Sequence, residues 1–368
     1  MNNSWNGIKK LLVIRADNMG DLLMSVPAIR ALKESFGCEI TVLTSSMAAA
    51  VCPLLPEIDD TIIYDLPWIK SPGQARPETL FEISELLRQR SFDACVIFTV
   101  YSQNPLPAAM LAYLAAIPRR LAYCRENPYQ LLTDWVPDRE PYEVIHHQVR
   151  RDLLLVEHIG AKTADQRLSV RIGGEARQAS LEKLSALGID KDKPWLIVHA
   201  GVSEDKRKYP EELWIETARG LVQQAGIQVV FSGSPSEREL TTRLQRAVGQ
   251  GAYSAGGMLN VEEFAALISE APLLVSVNTG PIHLAAATGT PVVVLYALTN
   301  PQHLPWAVSG RVLPFSIPVV LKSSNEVIRF TDKTFFKELY ELPRPADVIS
   351  AVQEVLSGRA GQFPELIC

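Results

Sequence analysis

Short runs of branched apolar residues, each closed by a polar or glycine-bearing turn, alternate along the chain with stretches whose apolar positions fall at helical spacing. The first run, residues 11–14, is continuously apolar, the pattern of a strand buried on both faces. After the turn Ala16-Asp17-Asn18-Met19-Gly20-Asp21 come Leu22, Leu23, Val26, Ile29 and Leu32 in helical register. The unit is strand, tight loop, helix. Further strands are predicted at 40–43, 61–64 and 94–98, and the pattern restarts at 195–199, 228–231, 273–277 and 292–295. Alternation of this kind predicts an α/β fold with parallel sheets wound by helices. Residues 147–160 read as a helix, and the polar stretch 161–174 that follows contains Gly173-Gly174, which marks a domain boundary. At the far end, Val348, Ile349, Val352 and Val355 give residues 345–357 one apolar side, so a packing helix is expected there.

Length agrees with two domains, because 368 residues at roughly 150 per domain leave room for about that number. The expected division is 1–170, 171–344, and a C-terminal helix and tail at 345–368. Charge narrows the partners. Thirty-six Lys and Arg against 41 Asp and Glu give a net charge of -5, which excludes a polyanion-coating protein and argues against a nucleic-acid partner. The five cysteines, Cys38, Cys52, Cys95, Cys124 and Cys368, form no CxxC pair, so neither a disulfide framework nor a zinc site is expected. The opening MNNSWNGIKK is polar, and the apolar run behind it stops at Arg15, too soon for a signal peptide. Other apolar stretches, at 107–117 and 291–298, fall short of the roughly 20 residues of a spanning helix. A cytoplasmic protein is expected, with any contact to the inner membrane peripheral.

Ligands of wound α/β sheets bind beyond the carboxyl ends of the strands, where helix N-termini present free N–H groups. Three loops occupy such places. In Asn18-Met19-Gly20-Asp21, Gly20 permits close approach of a ligand, and Asp21 either works as a carboxylate at the site or caps the helix. In the segment 199–210, Gly201 follows the strand and Lys206-Arg207-Lys208 precede the next helix, an arrangement suited to phosphate oxygens or to plain solvation. In Asn278-Thr279-Gly280-Pro281-Ile282-His283, Thr279 and Gly280 form an anion cradle at a helix start, Pro281 suits the first turn, and His283 lies one turn in. Neither GxGxxG after the first strand nor GxxxxGK[ST] occurs, which weakens nicotinamide-dependent and P-loop functions. No HxxxH spacing is present, and the adjacent pair His146-His147 would point its side chains apart on a helix, so no metal is expected.

Taken together, LLVIRADNMGDLLMSVPAIRALK, IVHAGVSEDKRKYPEELW, AGGMLNVEEFAALI and SVNTGPIHLAAATGTPVVVLYALTNP resemble glycosyltransferase family nine, the bacterial heptosyltransferases of the lipopolysaccharide inner core. The resemblance implies a GT-B architecture of two Rossmann-like domains facing a central cleft. The first would bind the acceptor, a lipid-linked or glycan molecule, and the second a nucleotide-diphosphate sugar, most simply ADP-heptose. It implies inverting, metal-independent transfer without a cofactor. Asp21 stands at the position of the family's general base, with Asn18 and Gly20 on the acceptor-side loop. Lys206 and Arg207 stand where the family binds phosphate, and Thr279, Gly280 and His283 in its donor motif. Two positions depart from the family pattern: Asn278 replaces the aspartate that holds donor-sugar hydroxyls, and Arg207 replaces a lysine three residues before Pro210. Two rival functions share the architecture, a sugar-nucleotide epimerase and a nucleotide-sugar-binding protein whose catalysis has decayed. Arg119, Arg120 and Arg125 form a cationic group in the first half that would suit an anionic acceptor or simple solvation.

Overall fold

The computed structural model describes residues 5–70 and 76–361. Cys368 and the tail from 362 onward lie outside them. The described residues divide into two units, one reaching to residue 168 and the other running from residue 169.

In the first unit the order is β1 (Lys10–Ile14), α1 (Met19–Phe36), β2 (Glu39–Thr44), β3 (Asp60–Ile63), α2 (Pro77–Arg90), β4 (Ala94–Ile97), α3 (Leu106–Leu114), β5 (Arg119–Cys124), β6 (Asp134–Pro137) and α4 (Gln148–Glu157). The strands form one sheet in the order β3-β2-β1-β4-β5-β6, and every pairing is parallel. Leu11–Ile14 are buried throughout because β1 is central, paired on one side with β2 and on the other with β4. Leu12, Ile14, Cys95 and Ile97 from these strands meet Ile83, Leu87, Ala109 and Ala112 from α2 and α3 in one apolar layer. Helix α1 closes on Gly37 in the left-handed region, φ 60°, where a side chain would be strained.

The second unit repeats the plan. It contains α5 (Gly174–Ala186), β7 (Trp195–His199), α6 (Glu211–Ala225), β8 (Gln228–Ser232), α7 (Arg238–Val248), β9 (Ala252–Ser254), α8 (Val261–Glu270), β10 (Leu274–Val277), α9 (Gly280–Thr288), β11 (Val292–Ala297), β12 (Gly310–Phe315), α10 (Glu326–Phe335) and α11 (Pro345–Leu356). Its strand order, β12-β11-β10-β7-β8-β9, is again all parallel and has the same winding as the first unit. Val348, Val352 and Val355 of α11 bury against Trp214, Ala218 and Leu221 of α6, so the C-terminal helix is part of this core. Among the described residues, no helix is long and apolar enough to cross a membrane.

Four strands were not anticipated from the pattern: β5, β6, β9 and β12. Three of them lie at sheet edges, where short strands and proline are tolerated, and β6 and β12 each carry a proline. The fourth, β5, opens on Arg119-Arg120, which masks a buried strand behind two cations. Two of the three arginines grouped in the sequence, Arg120 and Arg125, neither face an acceptor nor stand solvated. Arg120 is buried and donates to the carbonyls of Ile117, Gln130 and Leu131, while Arg125 donates to those of Tyr101 and Glu140 and pairs with Asp138. Their charge is spent inside the unit on holding loops.

Candidate functional site

Strand order decides where a ligand can enter. In each sheet the winding reverses beside the first strand, between β1 and β4 in one unit and between β7 and β10 in the other, and loops diverge at such a point to leave a crevice. The three loops picked out in the sequence follow β1, β7 and β10. Each of them borders one of these reversals.

In the first unit Asn18 is the N-cap of α1, and Asp21 is three residues inside it. The Asn18 backbone N–H donates to Asp21 Oδ2 at 3.3 Å, so one carboxylate oxygen caps the helix. The other, Oδ1, lies 3.2 Å from Arg15 Nη2. Capping and the contact with Arg15 therefore use different oxygens of one group. Gly20, the residue before it, is buried in the same turn.

Arg15 ends the approach from β1 and is 0% exposed. It faces three carboxylates, Asp21, Asp17 at 3.4 Å from its Nε, and Asp152 of α4. Burial opposes the Arg15 charge, yet the three acids together raise its pKa above the ordinary value. One cation cannot neutralise three anions. Burial accordingly pushes the Asp17 carboxyl up to about 6 against the pull of Arg15, and Asp21 adds repulsion in the same direction. Burial pushes Asp152 up to about 6 as well, although Arg15 and hydrogen bonds from Ser25 and Gln148, both at 2.7 Å, favour its ionised form. Gln103, after β4, donates to Asp17 Oδ1 and joins the two loops at the reversal. Arg15, Asp17, Gln103 and Asp152 were all missed in the sequence. The only local signal was a pair of charges, Arg15 and Asp17, set directly behind an apolar strand.

In the second unit the basic loop is internally balanced. Glu204 lies 3.2 Å from Lys206 Nζ and 3.3 Å from Arg207 Nη2, each side chain about one quarter exposed. Arg207 Nη1 also donates to the Asn278 carbonyl at 3.1 Å, which ties the loop after β7 to the loop after β10. Helix α9 starts from Thr279, an N-cap in extended conformation, with Gly280 and Pro281 opening its first turn and His283 buried within it. In this first turn Pro281 has no N–H and the Ile282 N–H donates to the Thr279 carbonyl at 3.1 Å, so the attraction of this end for an anion rests chiefly on the helix dipole, beside Arg207. The His283 ring stands edge-on to that of His303, with centroids 6.3 Å apart. Thus Arg207, Asn278, Thr279, Gly280 and His283 converge in one region, with Lys206 adjacent through Glu204.

Asn278 has a structural task in this region. Its Nδ2 donates to the Ala297 carbonyl at 3.0 Å and to Thr299 Oγ1 at 3.2 Å, and its Oδ1 accepts from the Ala297 N–H at 3.0 Å, so it straps β10 to β11. An aspartate could accept the N–H but would set its other oxygen against the Ala297 carbonyl. Asn278→Asp is therefore expected to destabilise the protein by about 3 kcal/mol at pH 7, as a buried charge facing an acceptor. The check is a lower urea midpoint at unchanged slope, with a smaller deficit in acid, where the carboxyl regains a donor.

Gly201 serves a close approach. A Cβ there would lie 1.9 Å from Glu237 Oε1, a carboxylate that in turn receives the Ser234 N–H at 2.7 Å and favours the charged form of buried His199. Burial is the larger influence and holds the His199 pKa below its ordinary value. The Asp-x-Asp triplet of the sequence, Asp190-Lys191-Asp192, precedes β7, at the amino end of the strand, away from these loops. Among the described residues, no group of three or more His, Cys, Asp or Glu is placed to hold a metal ion.

Comparison with known proteins agrees with this geometry. The family model described as glycosyltransferase family 9 (heptosyltransferase) matches residues 80–320. Lipopolysaccharide heptosyltransferase 2 of Salmonella typhimurium is 26% identical over 310 residues, covering 80% of this chain and 85% of that protein. Two solved structures share the fold: a family 9 glycosyltransferase from Veillonella parvula, TM-score 0.74 at 19% identity over 95% of this chain and 97% of the other, and the E. coli ADP-heptose lipopolysaccharide heptosyltransferase II, TM-score 0.70 at 20% identity over 95% and 99%. With two wound parallel sheets, glycine-bearing loops at their reversals and a family match over more than half its length, the chain belongs to glycosyltransferase family 9.

Proposed function

We propose that the chain transfers heptose from ADP-heptose to a lipopolysaccharide-core or related surface-glycan acceptor, with inversion and without a metal ion. The observation that carries it is the Asp21 carboxylate, presented at the carboxyl end of β1 with one oxygen oriented by Arg15. Asp21 takes the proton of the acceptor hydroxyl as that oxygen attacks the anomeric carbon, and the bond from this carbon to the diphosphate oxygen breaks on the opposite face. Lys206, Arg207 and the N-terminus of α9 meet the charge gathering on the departing ADP, and Thr279, Gly280 and His283 line the donor loop. Asn278 contributes by holding that loop to β11 rather than by carrying charge. Similarity to the heptosyltransferases of Salmonella typhimurium and E. coli supports the sugar and the acceptor class. An acceptor of this kind would bring the protein to the cytoplasmic face of the inner membrane by peripheral contact.

The test is incubation of the purified protein with ADP-heptose and a heptose-deficient lipopolysaccharide, followed by mass spectrometry. One added heptosyl residue, formed at an unchanged rate in EDTA, is expected. Conversion of the donor with no acceptor present would favour an epimerase instead, donor binding with no turnover would favour a decayed binding protein, and a strict divalent-metal requirement would overturn the metal-free step.

A further inference from the structure

Asp152 is a buried acid that the proposed chemistry leaves unused. It sits on α4 at 1% exposure, too deep to touch a substrate. Yet α4 packs along α1, and two routes join Asp152 to the start of that helix. The first is a shared hydroxyl. Ser25 Oγ, also buried, lies 2.7 Å from Asp152 Oδ2 and 3.2 Å from the Asp21 backbone carbonyl, and its one hydrogen goes to the nearer, charged acceptor. The second is a shared cation. Arg15 holds Asp21 Oδ1 at 3.2 Å and is at the same time under the pull of Asp152.

Among the described residues, the charged or titratable groups acting on Asp152 are Arg15 from the loop after β1, Tyr123 from β5 and Arg151 from its own helix. Arg151 is already matched by Asp138 and Glu140. Around Arg15 the set is completed by Asp17 and Asp21. Arg15 is therefore the cation through which a change of charge on Asp152 reaches Asp21. An opposite charge beside a carboxylate lowers its affinity for a proton, and an anion placed behind that cation restores part of it.

We propose that Asp152 is a positioning residue for the transfer step: ionised and buried behind Arg15, it offsets part of that cation's field and so keeps the Asp21 carboxylate basic enough to take the acceptor's proton. The proposal rests on the assignment of Asp21 as the base and explains why a third acid is buried beside one arginine. Burial holds Asp152 at a pKa of about 6, so its charge is present at pH 8 and mostly gone at pH 5.

Asp152→Asn tests this at constant shape. The amide oxygen keeps the bond from Gln148 Nε2, 2.7 Å in the parent, and the amide nitrogen donates to Ser25 Oγ, which frees the hydroxyl hydrogen for the Asp21 carbonyl. Every group has a partner and one of three anions is gone, so the variant should be at least as stable to urea as the parent at pH 7.5. Its base should be weaker nonetheless. In full-length protein labelled with carbon-13 at the aspartate carboxyls, with Asp21→Asn identifying the Asp21 signal, the Asp21 midpoint should fall by about one pH unit. With ADP-heptose and acceptor, kcat at pH 8 should fall about threefold, as a Brønsted dependence on base strength requires, and the ratio of parent to variant should decline to one or below at pH 5. Ser25→Ala removes a bond that favours ionised Asp152 and should move both readouts the same way by less.

An Asp21 midpoint that stays or rises in Asp152→Asn would overturn the proposal, as would a rate deficit equal at both pH values or one that merely accompanies lost stability. If Asp152→Asn does not fold, the same criteria applied to Ser25→Ala decide. The carboxyl titration needs no turnover, which separates the two claims. Transfer that depends on Asp21 beside an unmoved midpoint sinks only the role of Asp152. A shifted midpoint in a protein that transfers no heptose sinks the transferase assignment, and with it any role of Asp152 in transfer, while the coupling of the two acids stands.

Discussion

Asp21→Asn is expected to lower kcat for sugar transfer by about 10²–10⁴-fold, the usual worth of a positioned general base. Asparagine keeps the shape and an oxygen, so it can still accept the Asn18 N–H that the carboxylate now receives at 3.3 Å. It cannot take a proton from the acceptor. ADP-heptose affinity should remain near that of the parent protein, because the residues assigned to the donor belong to the loops after β7 and β10. Steady-state kinetics and a donor thermal shift check both halves. A transfer rate within a few-fold of the parent would remove Asp21 from the chemistry and leave it as a cap. Loss of donor binding as well would mean that the substitution had damaged the fold.

Arg15→Leu should be the most destabilising single change near the site, about 3–5 kcal/mol at pH 7, because it strands Asp17, Asp21 and Asp152 without their shared cation. The loss should shrink as pH falls. Asp17 and Asp152 already sit near pKa 6 with Arg15 present, well above an unfolded aspartate. A raised acid pKa favours the folded state below the unfolded pKa, and that contribution is lost as pH rises through the folded value. Without Arg15 both pKa values move higher still, so at pH 5 the variant folds with neutral carboxyls and avoids most of the penalty. Urea unfolding of parent and variant at pH 5 and pH 7.5 measures this, and a deficit that stays the same or grows in acid would show that the three acids do not share the arginine's charge. Asp21→Asn removes one of the same anions, so its kinetic effect should be read at a pH where both proteins are folded.

Much of the fold was visible in local pattern. Apolar runs at β1, β7 and β11, and one broken only by Ser276 at β10, announced strands buried on both faces, since central strands of a parallel sheet need that composition. The turns behind three strands stood out as the starts of helices at the sheet reversals, because helix starts with glycine, proline and N-cap residues have distinctive chemistry. Three of the four edge strands, β6, β9 and β12, escaped notice, since one open side relaxes the demand for apolar residues and admits proline. The arginines of β5 misled for a related reason. A cation whose partners are backbone carbonyls looks the same in sequence as one facing solvent.

Local pattern was enough to establish two wound α/β halves and the strand-to-helix loops that carry Asp21, Lys206, Arg207 and the Asn278–His283 segment, because hydrophobic period and turn chemistry act over a few residues; the family came from the resemblance of whole segments and the matching family model. Strand order, the two reversals, the sharing of Arg15 among Asp17, Asp21 and Asp152, and the use of the Asn278 side chain as a strap to Ala297 required the folded chain. Charge pairing and burial join groups such as Arg15 and Asp152 that lie far apart along the backbone, and no local preference records which of them will meet.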